Sequence, residues 1–298
     1  MFSMIKQINP FSLFKRMARP LILDGAMGSL LQQKGVKSEG PLWMSLVNIT
    51  VPDIVSQVHR EYIEAGADII TTNTFRTNPA SLSAYGWKNE TELVKKSLEI
   101  AVQTVGDLPI FIAGSNAPAE DCYQVERRLT FKEIEYNHKR HIDLLTEYGS
   151  HFILNETQSH FDEIKIICEH CAKNNISFIV SLFLDENLKL LSGEEIDKAI
   201  SFILDHNPLA IGINCIYPDI FMKLFNRISF NFNWGTYLNC GAGNYIDDNI
   251  TCGISFSSYG DYVKKILINK PSFIGACCGS MPEHIKEIKK IIDGKSRN

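Results

Sequence analysis

The sequence predicts an α/β protein folded as a (β/α)8, or TIM, barrel. Short apolar segments alternate with amphipathic segments of helical length, the alternation repeats eight times, and no linker-like stretch interrupts it. A doubly wound open sheet is the runner-up, but such a sheet usually has about six strands and a glycine-rich first turn. We expect a basic extension over residues 1–19, interpreted as a short helix, followed by one barrel domain over residues 20–298.

Each predicted strand is a short run dominated by apolar and β-branched residues and bounded by polar or turn-forming residues. The eight strands cover residues 21–23, 69–72, 110–113, 152–154, 178–182, 210–213, 236–238 and 273–275. Each predicted helix has apolar residues at helical spacing. The eight helices cover residues 52–65, 90–105, 130–148, 160–173, 192–204, 218–228, 259–268 and 282–292.

Two of these helices have predicted capping boxes, in which a hydroxyl and an acidic side chain satisfy each other's backbone N–H groups. Thr130 and Glu133 form one such pair, and Ser192 and Glu195 form the other. The longest insertion, residues 24–52, is expected to lie over the C-terminal end of the first strand.

Composition and charge exclude several classes of protein. The chain has 298 residues, of which 45% are hydrophobic and 21% charged, so intrinsic disorder, collagen-like repeats and disulfide-rich miniproteins are excluded. A net charge of -4 argues against nucleic-acid binding, and no apolar run approaches the roughly 18 residues of a membrane span. We expect a cytoplasmic protein without nucleic-acid or membrane partners, either a monomer or a small homo-oligomer.

The N-terminal extension carries four basic side chains and no acidic one. A secretory signal is disfavoured because no apolar region is followed by a small-residue cleavage site. We interpret the extension as a short amphipathic helix that closes one end of the domain, with Met17 as an alternative start of the chain.

The C-terminal ends of all barrel strands line one common mouth, whatever their separation in sequence. The residues at these ends are Asp24, Gly25, Thr72, Asn73, Gly114, Ser115, Glu156, Thr157, Asn214, Cys215, Asn239, Cys240, Cys277 and Cys278. Three thiols therefore converge from the sixth and eighth strands: Cys215, Cys277 and Cys278.

These three thiols indicate a metal site. Three thiolates with an open fourth position are typical of a catalytic zinc rather than a structural one, and soft thiolates favour zinc over magnesium or calcium. The alternative is three buried free cysteines, which are common in protein cores. Within the barrel we favour one zinc ion per chain.

Five segments of the chain together resemble the zinc-dependent homocysteine S-methyltransferase family from about Leu21 to the last helix. They are LILDGAMGSLLQQKG, HREYIEAGADIITTNTF, FILNETQ, IGINC and FIGACCGSMPEHI. The G-x-N-C motif followed about sixty residues later by G-x-C-C-G is the most specific part. The resemblance implies a TIM barrel that binds zinc through the three cysteines.

The resemblance also implies the substrate contacts. The positions that match those holding the amino-acid part of homocysteine are Asp24, Gly25, Thr72 and Glu156. Phe75 and Trp43 are expected to line the same pocket.

The implied activity is methyl transfer from a sulfonium donor, S-methylmethionine or S-adenosylmethionine, to the thiol of homocysteine, which forms methionine. Betaine is less favoured because the long C-terminal extension of that branch is missing, and the chain contains no folate or cobalamin modules. The alternatives are a catalytically silent zinc- or thiol-binding relative and a methyltransferase for another thiol or selenol.

The sequence departs from the family pattern at two places. The loop GSNAPAEDCY replaces the usual glycine-rich loop after the third strand, and Ala276 replaces a glycine.

Several other cysteines and histidines receive structural interpretations. Cys168 and Cys171 share one face of a predicted helix and are expected to pack in the core. His138 and His141 stand beside basic residues and are expected on a solvated helix face. Cys240 follows the seventh strand and is retained as an alternative metal ligand.

Overall fold

The structure, a computed structural model, describes residues 7–14, 19–244 and 249–295. The predicted N-terminal extension is therefore described only in part, and Met17 lies outside the described residues. Among the residues described, no helix combines the length and the apolar character that a membrane span requires.

Eight parallel strands form a single closed sheet with the order β1-β8-β7-β6-β5-β4-β3-β2. Leu23 pairs with Ile69 in a parallel bridge that joins β1 to β2 and closes the cylinder. The predicted (β/α)8 barrel is thereby confirmed. The strands are β1 Leu21–Ile22, β2 Ile69–Thr71, β3 Phe111–Asn116, β4 Phe152–Gln158, β5 Phe178–Leu182, β6 Ala210–Asn214, β7 Trp234–Leu238 and β8 Phe273–Ala276.

Helices cover the outside of the cylinder. In the described chain they are α1 Pro10–Phe14, α2 Met27–Gln33, α3 Val47–Thr50, α4 Pro52–Ala65, α5 Pro79–Tyr85, α6 Glu92–Val105, α7 Phe131–Glu147, α8 Phe161–Lys173, α9 Ile196–Leu204, α10 Pro218–Phe225, α11 Phe256–Ile266 and α12 Pro282–Lys295. The eight helices predicted after β1 correspond to α4 and α6 to α12. Helices α2, α3 and α5 are short and are absent from the sequence prediction.

The two predicted capping boxes have different outcomes. At the start of α7, the Thr130 hydroxyl accepts the N–H of Glu133 while the Glu133 carboxylate accepts the N–H of Thr130, so this box is confirmed. The box of Ser192 and Glu195 is wrong. The Ser192 hydroxyl instead accepts the N–H of Phe161 at the start of α8, and α9 begins only after Glu195.

Apolar side chains form two layers. Inside the cylinder, inward-pointing strand residues pack on each other, as barrel geometry requires. The largest of them are Leu21, Leu23, Ile69, Phe111, Phe152, Leu154, Ile179, Tyr237 and Phe273. A larger layer lies between the strands and the helices, and it includes Cys168 and Cys171 at 0% exposure. The prediction that these two thiols pack in the core is confirmed.

The predicted solvated face of α7 is wrong, because His138 and His141 are both fully buried. His141 Nδ1 lies 2.8 Å from Asn116 Oδ1 at the end of β3, and His138 Nε2 lies 2.6 Å from the Glu163 carboxylate in α8. Burial opposes ionisation of Glu163, but its interactions with His138, the Ala119 N–H and Arg127 together outweigh this effect and lower the pKa of Glu163 to about 2. Buried partners, invisible in the sequence, thus replace water around both rings.

The segment that precedes β1 covers the N-terminal end of the barrel. The Gln7 side chain donates to the Ser150 carbonyl oxygen at 2.8 Å and accepts the Ser177 N–H at 3.0 Å, so it joins the approaches to β4 and β5. The Phe11 ring stacks on Phe273 with 6.1 Å between ring centroids. This segment therefore seals the inner apolar layer from water.

We predict that Phe11→Ala lowers the free energy of unfolding by roughly 3–5 kcal/mol, because it removes a buried ring and leaves a cavity beside Phe273. Urea unfolding followed by circular dichroism measures the change. The matched control is Phe131→Ala, where the ring is 57% exposed. Equal losses in the two variants would contradict a sealing role for Phe11.

Candidate metal and substrate site

A cavity of about 740 Å³ opens at the C-terminal end of the barrel. Its volume lies within the range of small-molecule sites, roughly 300–1,000 Å³. The predicted zinc ligands and substrate contacts all line it: Asp24, Gly25, Trp43, Thr72, Phe75, Glu156, Cys215, Cys277 and Cys278. Of the other strand-end residues, Asn73, Ser115 and Thr157 line the cavity, whereas Gly114, Asn214, Asn239 and Cys240 do not.

Three sulfur atoms converge on one side of this cavity. Cys215 follows β6, Cys277 and Cys278 follow β8, and the three Sγ atoms lie within 4.8 Å of one another. Cys278 Sγ is 3.4 Å from Cys215 Sγ and 4.0 Å from Cys277 Sγ. Sulfurs bound at about 2.3 Å to a tetrahedral zinc ion lie roughly 3.8 Å apart. The spacing therefore suits a metal ion held by three thiolates.

The end of β7 fixes the two thiols that follow β8. The Cys277 N–H donates to the Leu238 carbonyl oxygen at 2.8 Å, and the Cys240 N–H donates to the Cys278 carbonyl oxygen at 2.7 Å. The Cys240 thiol points back to the Leu238 carbonyl oxygen, 3.6 Å away, and stays outside the group of three sulfurs. Cys240 thus supports the site through its backbone, and its thiol is not grouped with possible metal ligands.

Hydrogen bonds within the cluster differentiate the three thiols. Cys215 and Cys277 donate hydrogen bonds to the Cys278 sulfur, and these bonds lower the pKa of the Cys278 thiol well below its ordinary value. Cys278 is therefore the first of the three to ionise. Because only thiolates bind metals well, loading the site releases protons from the remaining thiols.

Glu156 points into the cavity because β4 is irregular beside it. The register of β4 against β5 shifts between Asn155 and Gln158, and Thr157 has a positive φ of 59°. Asn214 holds this bulge, since its Oδ1 accepts the Thr157 N–H and its Nδ2 donates to Thr157 Oγ1, both at 2.9 Å. Bulges redirect side chains at strand ends, and here the bulge places a carboxylate at the mouth.

Two hydroxyls contact the Glu156 carboxylate. Ser115 hydrogen-bonds to Oε1, and the Tyr237 hydroxyl lies 3.4 Å from Oε2. Burial raises the pKa of Glu156 to about 7, although both hydrogen bonds act in the opposite direction. An ionised Glu156 would therefore be stabilised by a cation in the cavity.

Asp24 supplies a second buried carboxylate, just beyond β1. It is 2% exposed, and its Oδ atoms accept the Thr71 N–H at 2.8 Å and the Thr71 hydroxyl at 3.1 Å. Burial raises the pKa of Asp24 well above its ordinary value, and the charge of Glu156 adds to this shift. Together the two acidic groups make the cavity a favourable place for a positively charged ligand.

Gly25 and Thr72 shape the rim between these carboxylates. A Cβ on Gly25 would lie 2.6 Å from the Tyr62 hydroxyl and 2.7 Å from Ser280 Oγ, so no larger residue fits without a shift. The Thr72 hydroxyl accepts the Ser115 N–H at 3.1 Å, which ties the ends of β2 and β3 together. Both residues thus set the backbone that surrounds the cavity.

Four residues that contact the predicted site are not predicted as metal ligands or substrate contacts: Ser115, Tyr123, Asn214 and Tyr237. Ser115 and Asn214 are nevertheless among the strand-end residues that barrel geometry places at the mouth. Tyr237 lies inside β7 and points into the barrel. The sequence could indicate this only through the alternation of inward and outward side chains along that strand. Tyr123 lies in the loop after β3, and no motif marks it.

Comparison with known proteins gives a consistent result. The family model described as homocysteine S-methyltransferase matches residues 21–292. Homocysteine S-methyltransferase 2 of Arabidopsis thaliana is 23% identical, over 92% of this chain and 94% of that protein. Selenocysteine Se-methyltransferase of Brassica oleracea var. italica is 24% identical, over 90% of this chain and 88% of that protein.

Among solved structures, the metallated form of the homocysteine methyltransferase MmuM from Escherichia coli has a similar fold. The TM-score is 0.79 at 23% identity, over 95% of this chain and 99% of that one. The family model spans all eight strands and almost all of the last helix. The resemblance found in the sequence is confirmed, and the chain belongs to the homocysteine S-methyltransferase family.

Proposed function

We propose that this methyltransferase moves a methyl group from a sulfonium donor, S-methylmethionine or S-adenosylmethionine, to homocysteine, whose sulfur is bound to one zinc ion. Its family gives the reaction class and the acceptor. The spacing of three sulfur atoms at the open cavity is the observation that supports the metal. Cys215, Cys277 and Cys278 are the proposed ligands.

Zinc fits this donor set better than harder cations do. Soft thiolates select zinc, and three protein ligands leave the fourth position of a tetrahedral ion for a ligand from the cavity. A zinc ion in this position would lower the pKa of a bound thiol, so that the acceptor sulfur is present as the reactive thiolate at neutral pH.

Asp24 and Glu156 are the proposed partners of the homocysteine ammonium group. Asp24 is buried and Glu156 is half-buried, and the pKa of each carboxyl is raised because loss of water disfavours its charge. An ammonium group between the two carboxylates stabilises their ionised forms. The carboxylates in turn offset the free-energy cost of removing the ammonium group from water. Two charge contacts also fix the direction of the acceptor chain, so that its sulfur meets the thiolate ligands in one orientation.

The transfer step needs no proton from the protein. The methyl carbon moves in one in-line displacement: its bond to the donor sulfur breaks, and a new bond to the acceptor sulfur forms. The bonding electrons stay with the donor sulfur, which leaves as a neutral thioether, while the acceptor becomes methionine. The Trp43 ring, which lines the cavity, suits a cationic donor because ring faces attract positive charge, whereas the Phe75 ring already has the Arg76 guanidinium carbon 5.1 Å from its centroid.

A selenol is the second candidate acceptor. It is favoured by the likeness to a protein named selenocysteine Se-methyltransferase, which covers 90% of this chain. The proposed chemistry of the site applies equally to a selenolate, because soft metal ions bind sulfur and selenium alike. Rates with homocysteine and selenocysteine at equal concentrations decide between the two acceptors.

We predict that Cys277→Ala reduces the zinc content from one ion per chain to near zero and abolishes methionine formation, because two thiolates cannot hold the ion. Atomic absorption on freshly reduced protein measures the zinc, and circular dichroism checks the fold. The matched control, Cys168→Ala, removes a buried thiol from α8 and should keep both zinc and activity. A metal-free Cys277→Ala variant with full activity would refute the zinc-based mechanism.

We predict turnover with a sulfonium donor and none with betaine. S-methylmethionine, S-adenosylmethionine and betaine are offered separately with homocysteine, and methionine is measured by chromatography. Protein from which zinc has been removed by a chelator is the blank. If betaine alone supported turnover, the proposed donor class would be wrong.

We predict that Glu156→Gln raises the KM for homocysteine about 10- to 100-fold, because a hydrogen bond to a charged group contributes about 1.5–3 kcal/mol. The variant should also lose its preference for homocysteine over 4-mercaptobutanoate, which has no amino group. The control is Glu147→Gln, at an exposed position on α7. An unchanged preference in Glu156→Gln would show that this carboxylate does not bind the ammonium group.

A further inference from the structure

We infer that Tyr123 is a positioning residue of the metal centre, and that its hydroxyl donates a hydrogen bond to the sulfur of Cys215. The hydroxyl oxygen lies 3.0 Å from Cys215 Sγ. The inference rests on the proposed function, because it takes Cys215 as a metal ligand. A thiolate ligand has no proton, so in the loaded site the phenol must be the donor.

The position of the Tyr123 ring does not depend on this hydrogen bond. Its ring packs edge-on against Phe183, with 5.1 Å between centroids and an interplanar angle of 68°. Its N–H donates to the Asp121 carboxylate at 2.9 Å. Removal of the hydroxyl alone therefore leaves the ring in place, which separates the effect of the hydrogen bond from that of packing.

The loop that carries Tyr123, residues 117–130, is anchored to the start of α8. The Ala119 N–H donates to the Glu163 carboxylate at 2.9 Å. The Arg127 guanidinium forms two hydrogen bonds to Asp162, at 2.9 and 2.5 Å. Bidentate pairs of this kind fix geometry in addition to adding energy. The loop thus holds the phenol at a defined point above the end of β6.

Cys215 is the ligand that most needs such support. It has a positive φ of 58°, a conformation that non-glycine residues seldom adopt and that surrounding contacts must maintain. The Asn239 side-chain nitrogen also faces its sulfur, at 3.9 Å. Partners outside the ligand shell orient the ligands and tune the metal, and a thiolate that accepts a hydrogen bond donates less charge to its metal.

The test compares Tyr123→Phe with the wild-type chain after loading with zinc and, separately, with cobalt(II). Metal affinity is measured by competition with a chromophoric chelator, and the thiolate-to-cobalt charge-transfer band is recorded. We expect about 10- to 100-fold weaker metal binding, because the Cys215 sulfur loses a partner that orients it toward the metal, and this loss outweighs the gain in its donor strength. We also expect the band to move to longer wavelength, because the sulfur becomes the better electron donor.

The matched control is Tyr262→Phe, which removes a hydroxyl that donates to Asp219 outside the cavity. It should leave metal affinity and spectrum unchanged. A wild-type chain that binds neither metal would overturn the proposed function itself. A wild-type chain that binds metal, together with a Tyr123→Phe variant of equal affinity and spectrum, would overturn only the inference about Tyr123. Weaker metal binding with an unshifted charge-transfer band would also overturn the inference about Tyr123, because the lower affinity would then result from altered packing.

Discussion

The arrangement at the mouth depends on the backbone pairing that closes the sheet between β1 and β2. The Asp68 N–H donates to the Ile22 carbonyl oxygen, and the Asp24 N–H donates to that of Ile69. Strands β4 and β8 are four positions apart along the sheet, which in a flat sheet would separate them by roughly 19 Å at about 4.8 Å per strand. Because the sheet closes into a cylinder, β4 and β8 lie on opposite sides of the mouth, and Glu156 faces the thiols that follow β8.

The mouth collects more acidic groups than basic ones. Asp24 and Cys215 are buried, and Glu156, Cys277 and Cys278 are half-buried, whereas the arginines that line the cavity are Arg76 and the exposed Arg128. Positive ligands therefore favour full ionisation of the two carboxyls and the three thiols. In the proposed reaction a metal ion, an ammonium group and a sulfonium supply that charge. Methyl transfer then consumes the sulfonium charge and leaves a neutral thioether. The chemical step itself therefore weakens the attraction of the spent donor to the cavity, which favours its release.

The barrel and its thiol cluster could be predicted because both follow from periodic rules. The alternation of strand and helix segments predicts the fold. The rule that all strand ends lie at one mouth predicts that Cys215 is near Cys277 and Cys278. The bulge at Thr157 could not be predicted, because it depends on Asn214 two strands away. The burial of His138 likewise depends on Glu163 in another helix. These features come from tertiary partners, whereas local sequence carries only propensities.

The N-terminal segment imposes an order on folding. Its Gln7 joins the approaches to β4 and β5, and its Phe11 stacks on Phe273 in the last strand. The partners of Gln7 lie near the middle of the chain, whereas Phe273 lies more than 250 residues after Phe11. The Phe11 ring therefore gains its stacking partner only after the chain has been made as far as the last strand. Contacts of such long sequence separation slow folding.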